Sequence, residues 1–228
     1  MAKSKVSRKK LLKEPDEFIT FTGRLIQFIQ EYSKHLIGGL AILFVIIAIV
    51  SSVRYVSAKN EAEASLLLAQ AQKRYAEALS AGTAEDAFKK VETDFKEILE
   101  QYPRKNAGKQ ARLIFADICY DAEKIDKAIE LYKTSLDDWK KFPAINNIVL
   151  NSLAYAFEKK KEFKTALTYY EKIISSNDPN QKDFAIYNSG RIYAKLGDKE
   201  KSINAFKSVE KKYPGFIYNQ IVKEKINS

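Results

Sequence analysis

Hydrophobic residues recur at three- and four-residue steps along most of this chain, which is the period of an amphipathic α-helix. The pattern predicts helices over residues 60–80, 87–103, 108–120, 127–143, 145–159, 165–179, 184–196 and 201–214, with a short helix over 216–226. Four prolines close helical segments at intervals of 40, 36 and 35 residues: Pro103, Pro143, Pro179 and Pro214. A spacing near 35 residues is typical of stacked helical pairs. We therefore expect an all-α fold.

Each helical pair carries small and bulky residues at fixed places. The second helices each carry an aromatic residue at the same place in the repeat, and three of them have a small residue four positions earlier: Phe95, Tyr132, Tyr170 and Phe206, with Ala128, Ala166 and Ser202. The first helices contain a small residue followed three positions later by a larger one: Ala116, Ala154 and Gly190, with Cys119, Phe157 and Tyr193. Small residues beside bulky ones let two helices dock closely. We expect three recognisable repeats, one divergent pair before them and a capping helix after them.

The last of these units resembles a tetratricopeptide repeat position by position. The matching residues are Gly190, Tyr193, Gly197, Asp198, Ser202, Phe206 and Pro214. The resemblance implies a tetratricopeptide-repeat-like α-solenoid over residues 57–228, in which helical pairs stack and the first helix of each pair lines a concave surface. Such surfaces bind peptides or partner helices.

The predicted concave surface mixes aromatic and polar side chains. We assign nine residues to it: Leu113, Asp117, Tyr120, Asn151, Tyr155, Glu158, Phe184, Tyr187 and Arg191. The carboxylate clamp of chaperone-binding repeats requires Lys, Asn and Arg at places that here hold Leu113, Asp117, Phe184 and Asn188. We therefore expect apolar protein segments, and not acidic C-terminal peptides, to bind here. Packing between repeats explains any single aromatic residue in this set equally well.

An uncharged segment lies ahead of the repeats. Residues 36–53 read LIGGLAILFVIIAIVSSV, and Tyr55 and Val56 extend this run. At a rise of about 1.5 Å per residue, such a helix covers most of a bilayer core of roughly 30 Å. The pattern predicts a transmembrane helix over residues 36–56. A signal peptide cleaved near Ser57 is the alternative, but the run is long and 35 residues precede it.

Basic residues predict the orientation of this helix. Eight Lys or Arg side chains precede the span: Lys3, Lys5, Arg8, Lys9, Lys10, Lys13, Arg24 and Lys34. Only Arg54, Lys59 and Lys73 fall in the first twenty residues beyond it. Because basic flanks stay in the cytoplasm, we expect a cytoplasmic N-terminus and a translocated domain over residues 57–228.

The tail over residues 1–35 also contains an amphipathic stripe. The stripe consists of Phe18, Phe21, Leu25, Phe28, Ile29 and Tyr32, at helical spacing. It predicts an interfacial helix on the inner leaflet, where nearby Lys and Arg would meet anionic head groups. A helix packed on a partner subunit would show the same stripe, and both interpretations stay open.

Composition and charge exclude several function classes. The net charge is +10, but residues 54–228 carry 31 basic against 25 acidic residues, and Lys outnumbers Arg 32 to 7. This balance argues against nucleic-acid binding, which favours bidentate Arg. Single Cys and His residues provide neither a metal site nor a nucleophile and base pair, so we expect no enzyme, cofactor or small-molecule substrate. Cys119 is expected to be a buried small hydrophobe.

The architecture as a whole resembles one bacterial family. A basic tail, one apolar span, an alanine-rich helix (NEAEASLLLAQAQKRYAEAL, residues 60–79) and about three repeats look like the ancillary SecYEG translocon subunit family. The resemblance implies a single-pass inner-membrane protein with its repeats in the periplasm, associated with translocon subunits, periplasmic chaperones or emerging clients. A scaffold for envelope assembly or cell division, or a regulatory subunit of a membrane enzyme or transporter, would show the same anchor and repeats.

Overall fold

The computed structural model describes residues 17–227, with side chains from residue 21 onward, and every regular element in this part is an α-helix. The helices are α1 Glu17–Ala81, α2 Ala84–Gln101, α3 Asn106–Asp121, α4 Ile125–Trp139, α5 Pro143–Lys159, α6 Phe163–Ser175, α7 Lys182–Lys195, α8 Lys199–Lys212 and α9 Asn219–Asn227. Most ends lie within four residues of the predicted ones. The all-α solenoid expected from the hydrophobic period is confirmed.

Helix α1 is 65 residues long and contains the amphipathic stripe, the apolar segment and the alanine-rich segment. No proline falls between its ends, so no residue of the segment forces a break. The part of the basic tail before residue 17 lies outside the described residues. The chain divides into two compact units between Ala58 and Lys59, inside this helix.

The first unit exposes its apolar side chains. Ile37 is 67% exposed, Leu40 65% and Phe44 74%. The helix is long and apolar enough to cross a membrane, judged by length and composition. Glycines Gly38 and Gly39 have nothing within 4 Å of the place where a Cβ would stand.

The second unit stacks its helices in sequence order. From α2 to α9, each helix packs against the next, and α3 also touches α5. The last part of α1 joins this unit, because Ala64, Leu68 and Ala71 are buried in the same apolar core as Phe88 and other residues of the first pairs. Glu61 of α1 accepts hydrogen bonds from the backbone N–H groups of Asn106 and Ala107, which begin α3. These N–H groups are left without partners by the helix itself.

The small residues predicted at helix crossings are buried. Ala116, Ala128, Ala154 and Ala166 are all 0% exposed. Gly190 lies where α7 crosses α8, since a Cβ there would meet the ring of Phe206 at 2.9 Å. The close approach expected from the repeat positions is confirmed at these sites.

The three repeats turn from first to second helix in the same way. The turning residues have positive φ: Glu123 at 60°, Lys161 at 62° and Gly197 at 80°. In each turn a backbone N–H reaches back to the carbonyl five residues earlier: Lys124 to Cys119, Glu162 to Phe157 and Asp198 to Tyr193. This is the hydrogen-bond pattern of a Schellman C-cap, and the third repeat places the favoured residue, glycine, in the left-handed position.

One prediction about the prolines is wrong. Pro143 does not close α4, which ends at Trp139; it is the first residue of α5. Proline suits the first turn of a helix because the N–H it lacks has no intrahelical partner there. Trp139 is buried and its ring meets Phe142 edge-on at 5.8 Å.

Candidate protein-binding groove

The nine predicted groove residues lie on the first helices of the three repeats. Leu113, Asp117 and Tyr120 are on α3; Asn151, Tyr155 and Glu158 are on α5; Phe184, Tyr187 and Arg191 are on α7. Within each helix the spacing of three or four residues places the three side chains on one face. The structure divides seven of the nine among a central cavity, a polar network and an aromatic cluster. Leu113 and the partly buried Asn151 belong to none of the three.

The central cavity lies between the first two repeats, with lining residues from α3, α4 and α5. It has a volume of about 280 Å³ and is lined by Asp117, Tyr120, Asp121, Tyr132, Ser152 and Tyr155. Three of these residues, Asp121, Tyr132 and Ser152, were not predicted to belong to the groove. The cavity therefore combines two carboxylates with three tyrosine rings.

A hydrogen bond holds one of these carboxylates in place. Tyr132 of α4 donates its hydroxyl hydrogen to Oδ1 of Asp117 at 2.5 Å. The pKa of Asp117 is raised, mainly because the surrounding helices partly remove the carboxyl from water. The negative charge of Asp121 raises this pKa further, and the hydrogen bond from Tyr132 opposes the change without reversing it. Burial also raises the pKa of Asp121, against the opposing charge of Lys159.

The polar network connects the second and third repeats through Glu158. Its side chain is only 9% exposed and accepts a hydrogen bond from the hydroxyl of Tyr170 at 2.9 Å. Two cations of α7 lie near the same carboxylate, Arg191 at 3.6 Å and Lys195 at 3.4 Å. A nearly buried carboxylate with one hydrogen bond and two cations is well compensated. We therefore assign Glu158 to the packing interface between the second and third repeats.

Tyr155 and Arg191 meet at Asn188 in the same network. The amide nitrogen of the buried Asn188 donates to the hydroxyl of Tyr155 at 2.9 Å, and Arg191 donates to the Asn188 oxygen at 2.6 Å. The Tyr155 ring also packs edge-on against Tyr170 at 6.3 Å. Tyr155 thus borders the cavity while its hydroxyl is fixed by the next repeat.

Phe184 and Tyr187 belong to an aromatic cluster with the segment that follows α8. Phe184 meets Phe216 edge-on at 5.1 Å, and Tyr187 lies 5.4 Å from Phe216 and 5.5 Å from Tyr218 between ring centroids. The chain's own C-terminal segment therefore packs on two of the predicted groove residues. Leu113 is half-buried against the main core. A role of these three residues in binding stays a prediction.

The tyrosines of the second helices left a signal in the sequence. The aromatic position of the repeat holds Phe95 and Phe206 in two pairs but Tyr132 and Tyr170 in the other two. A buried tyrosine needs a partner for its hydroxyl, and the partners are the groove carboxylates Asp117 and Glu158. Asp121 and Ser152 gave no comparable signal, because exposed helix faces commonly carry such residues.

A larger cavity of about 540 Å³ lies between α7, α8 and α9. Its lining includes the rings of Tyr187 and Phe206 and the basic side chains of Arg191, Lys195 and Lys199. Its charge is opposite to that of the central cavity. Across the described residues 17–227, no three His, Cys, Asp or Glu side chains gather as metal ligands would.

The comparisons with known proteins agree on the fold. A family model described as a tetratricopeptide repeat-like domain matches residues 27–228, which include the apolar segment as well as the repeats. No curated protein matches the sequence. The fold is one that presents surfaces to other proteins and is not typically catalytic.

Several solved structures are similar to the chain. A tetratricopeptide repeat protein from Parabacteroides merdae aligns with 71% of this chain at 14% identity and a TM-score of 0.56, and the chain spans 59% of that protein. BtubC (BKLC) from P. vanneervenii aligns with 75% of this chain and 81% of its own, at 14% identity and a TM-score of 0.51. MamA aligns with 70% of this chain and 79% of its own, at 19% identity and a TM-score of 0.52. At these identities the likeness shows the fold alone.

Proposed function

Because the chain belongs to the tetratricopeptide repeat-like domain family, we propose that it is a membrane-anchored scaffold that binds proteins emerging near the bacterial translocation machinery. The observation that carries this proposal is the groove on α3 and α5, where polar and aromatic side chains surround an open cavity. Its carboxylates and rings offer hydrogen bonds and apolar surface to a polypeptide segment.

The anchor rests on the exposed apolar surface of α1. Between residues 36 and 56 this helix carries large side chains that no other described residue covers, such as Ile37, Leu40 and Phe44. Leaving such surface in water costs about 25 cal/mol per Å², and a bilayer removes that cost. The family match extends through this segment, so the apolar helix and the repeats belong to one family unit.

The periplasmic location rests on charge. The eight basic residues before the span outnumber those just beyond it, which favours a cytoplasmic N-terminus and a periplasmic repeat domain. Association with the translocon rests on the resemblance of the whole architecture to the ancillary SecYEG subunit family. A repeat domain held at the outer face of the inner membrane would meet segments that have just crossed it.

Topology is tested with a reporter that is active only outside the cytoplasm, fused after Ser228. We expect the reporter to be active and carbonate washing to leave the protein in the membrane pellet. Release into the wash would overturn the anchor. Replacing Lys9, Lys10 and Lys13 with Glu should weaken the orientation without affecting the repeats, because only the charge bias changes.

The groove is tested by photo-crosslinking in living cells. A photoreactive phenylalanine analogue replaces Tyr155, and a matched control places it at Glu171, which is exposed on α6. We expect adducts with translocon subunits, periplasmic chaperones or exported proteins from position 155 only. Adducts dominated by cell-division or outer-membrane assembly factors would overturn the translocation role. Equal adducts from both positions would overturn the groove itself.

A foreign transmembrane helix provides a second test. Residues 36–56 are replaced by an unrelated apolar span with the same flanking charges. We expect the crosslinks from position 155 to persist, because binding resides in the repeats. Their loss would show that the span itself selects the partner, as expected of a regulatory subunit of a membrane enzyme or transporter.

A further inference from the structure

The lining of the central cavity contains two carboxylates and no basic side chain. Across described residues 17–227, neither Asp117 nor Asp121 forms an ion pair with Lys or Arg; the charge of Lys159 acts on Asp121 from a distance. Lys159 itself is paired with Glu123 at 2.6 Å. Partial desolvation by the neighbouring helices raises the pKa of each carboxyl, while both residues keep solvent-exposed surface.

Tyrosine rings form the rest of the wall. Tyr120, Tyr132 and Tyr155 line the cavity beside the two carboxylates, and each comes from a different helix. The faces of aromatic rings attract cations, most strongly where water is displaced. One such contact already exists at the edge of the cavity, where Lys159 Nζ lies 5.8 Å from the centre of the Tyr120 ring.

The charges of Asp117 and Asp121 also act on a fourth tyrosine, Tyr75. Tyr75 of α1 has a buried hydroxyl with no hydrogen-bond partner among the described residues. Burial raises the pKa of Tyr75, and the charges of Asp121 and Asp117 raise it further. The two carboxylates therefore act on the neighbouring α1 as well, and both would attract a cation placed in the cavity.

We infer that the central cavity binds a lysine or arginine side chain of the polypeptide segment held in the groove. This inference rests on the proposed function and adds its specificity: one basic residue enters between Asp117 and Asp121, and its methylene groups contact the rings of Tyr120 and Tyr155. An acidic or small side chain gains nothing there.

The charge of this cavity is local. The chain as a whole is basic, with a net charge of +10, and the cavity between α7, α8 and α9 is lined by basic groups. Non-specific attraction by the whole protein would favour acidic peptides. A preference for basic residues would therefore come from the cavity and not from the overall charge.

The inference is tested by peptide selection with the full chain in detergent. The probe is a phage-displayed library of random short peptides, selected on wild type and on three variants. Asp121→Asn removes one charge and keeps the bond between Tyr132 and Asp117; Asp121→Lys reverses the charge. Asp137→Asn is the matched control, because it makes the same change on α4 at a residue that does not line the cavity.

We expect wild type and Asp137→Asn to enrich peptides with one Lys or Arg beside apolar residues. Asp121→Asn should weaken binding of a selected fluorescent peptide about tenfold, the usual effect of losing a hydrogen bond to a charged group. Asp121→Lys should shift the selection toward Asp and Glu. Thermal melts in the same detergent show whether each variant is folded.

Two results would overturn the inference. One is a wild-type selection without basic preference, and the other is a folded Asp121→Lys variant that keeps the wild-type preference. Neither result affects the scaffold function, which is judged by the crosslinks from Tyr155 in cells. Conversely, a basic preference in the library without crosslinks would leave the cavity intact and overturn the proposed function.

Discussion

The ring of Phe206 lies so close to Gly190 that a Cβ on the glycine would stand 2.9 Å from Cε1 and 3.1 Å from two further ring atoms. The Gly190 carbonyl also accepts a hydrogen bond from Ser202 at 2.8 Å, one turn before Phe206 on α8. The two helices of the last repeat are therefore held together at this crossing by the hydrogen bond from Ser202 to the backbone and by the contact with the Phe206 ring.

Gly190→Leu should destabilise the last repeat. The added carbons have no space beside Phe206, and overpacking costs roughly 1 to 3 kcal/mol of unfolding free energy. Urea unfolding of the full chain in detergent measures the loss. Adding Phe206→Leu to the variant should return part of the stability, and a double variant that is less stable by the full sum would contradict the contact.

Gly108→Ala should cost more than Gly190→Ala. A Cβ at Gly108 would stand 1.8 Å from the carbonyl oxygen of Tyr102, which is backbone in a tight turn and cannot move aside as a ring can. We expect a loss of about 2 kcal/mol or more for Gly108→Ala. For Gly190→Ala the better helix propensity of alanine offsets part of the strain. Similar unfolding curves for the two variants would contradict this ranking.

Tyr187→Ala should lower stability, while Tyr120→Ala should mainly lower binding. The Tyr187 ring packs against Phe206, Phe216 and Tyr218. Its removal leaves a cavity and should lower the unfolding free energy by about 2 kcal/mol or more. Tyr120 borders the open central cavity. Unfolding curves and crosslinking yields from position 155 separate the two effects; a Tyr120 variant that melts first would reverse the assignment of faces.

Cys119 should resist thiol reagents in the folded protein. It is fully buried, and burial raises the pKa of its thiol to about 12, so almost no thiolate exists at pH 8. Mass spectrometry after iodoacetamide treatment should show no labelling in buffer and complete labelling in denaturant. Rapid labelling of the folded chain would mean that α3 opens locally.

Asp121→Asn should raise the melting temperature at neutral pH. The folded-state pKa of Asp121 is raised, so the folded protein holds its proton more tightly than the unfolded chain. The stability from this residue is complete below the unfolded pKa and is lost as pH rises through the folded value. The gain of the variant over wild type should therefore shrink as pH falls toward 4. An equal gain at both pH values would contradict the raised pKa of Asp121, while Asp137→Asn should show no such change.

The helices and their crossings could be predicted because they depend on local pattern. The three- and four-residue period located every described helix after α1 to within a few residues, and small residues such as Ala154 and Gly190 marked the close contacts. Pro143 was misread because the same residue suits the end of one helix and the first turn of the next. Local pattern does not distinguish these places.

The groove was predicted less completely because it depends on contacts between repeats. Register along α3, α5 and α7 placed residues on a face, but it did not reveal that Phe216 and Tyr218 fold back onto Phe184 and Tyr187. It also did not place Asp121 in the groove. Asp121 lines the central cavity together with Asp117 and with tyrosines of other helices. Such relationships join residues far apart in sequence and leave no period.

The order in which the helices pack has a consequence for the way the protein acquires its structure. From α2 to α9, contacts join almost only consecutive helices, so the contact order of the second unit is low and its folding should be fast. Each helical pair can close on the one before it as soon as it is available, without waiting for distant parts of the chain. Residues 59–227 can therefore fold vectorially, from the first helical pair toward the last, before the C-terminal helices are available.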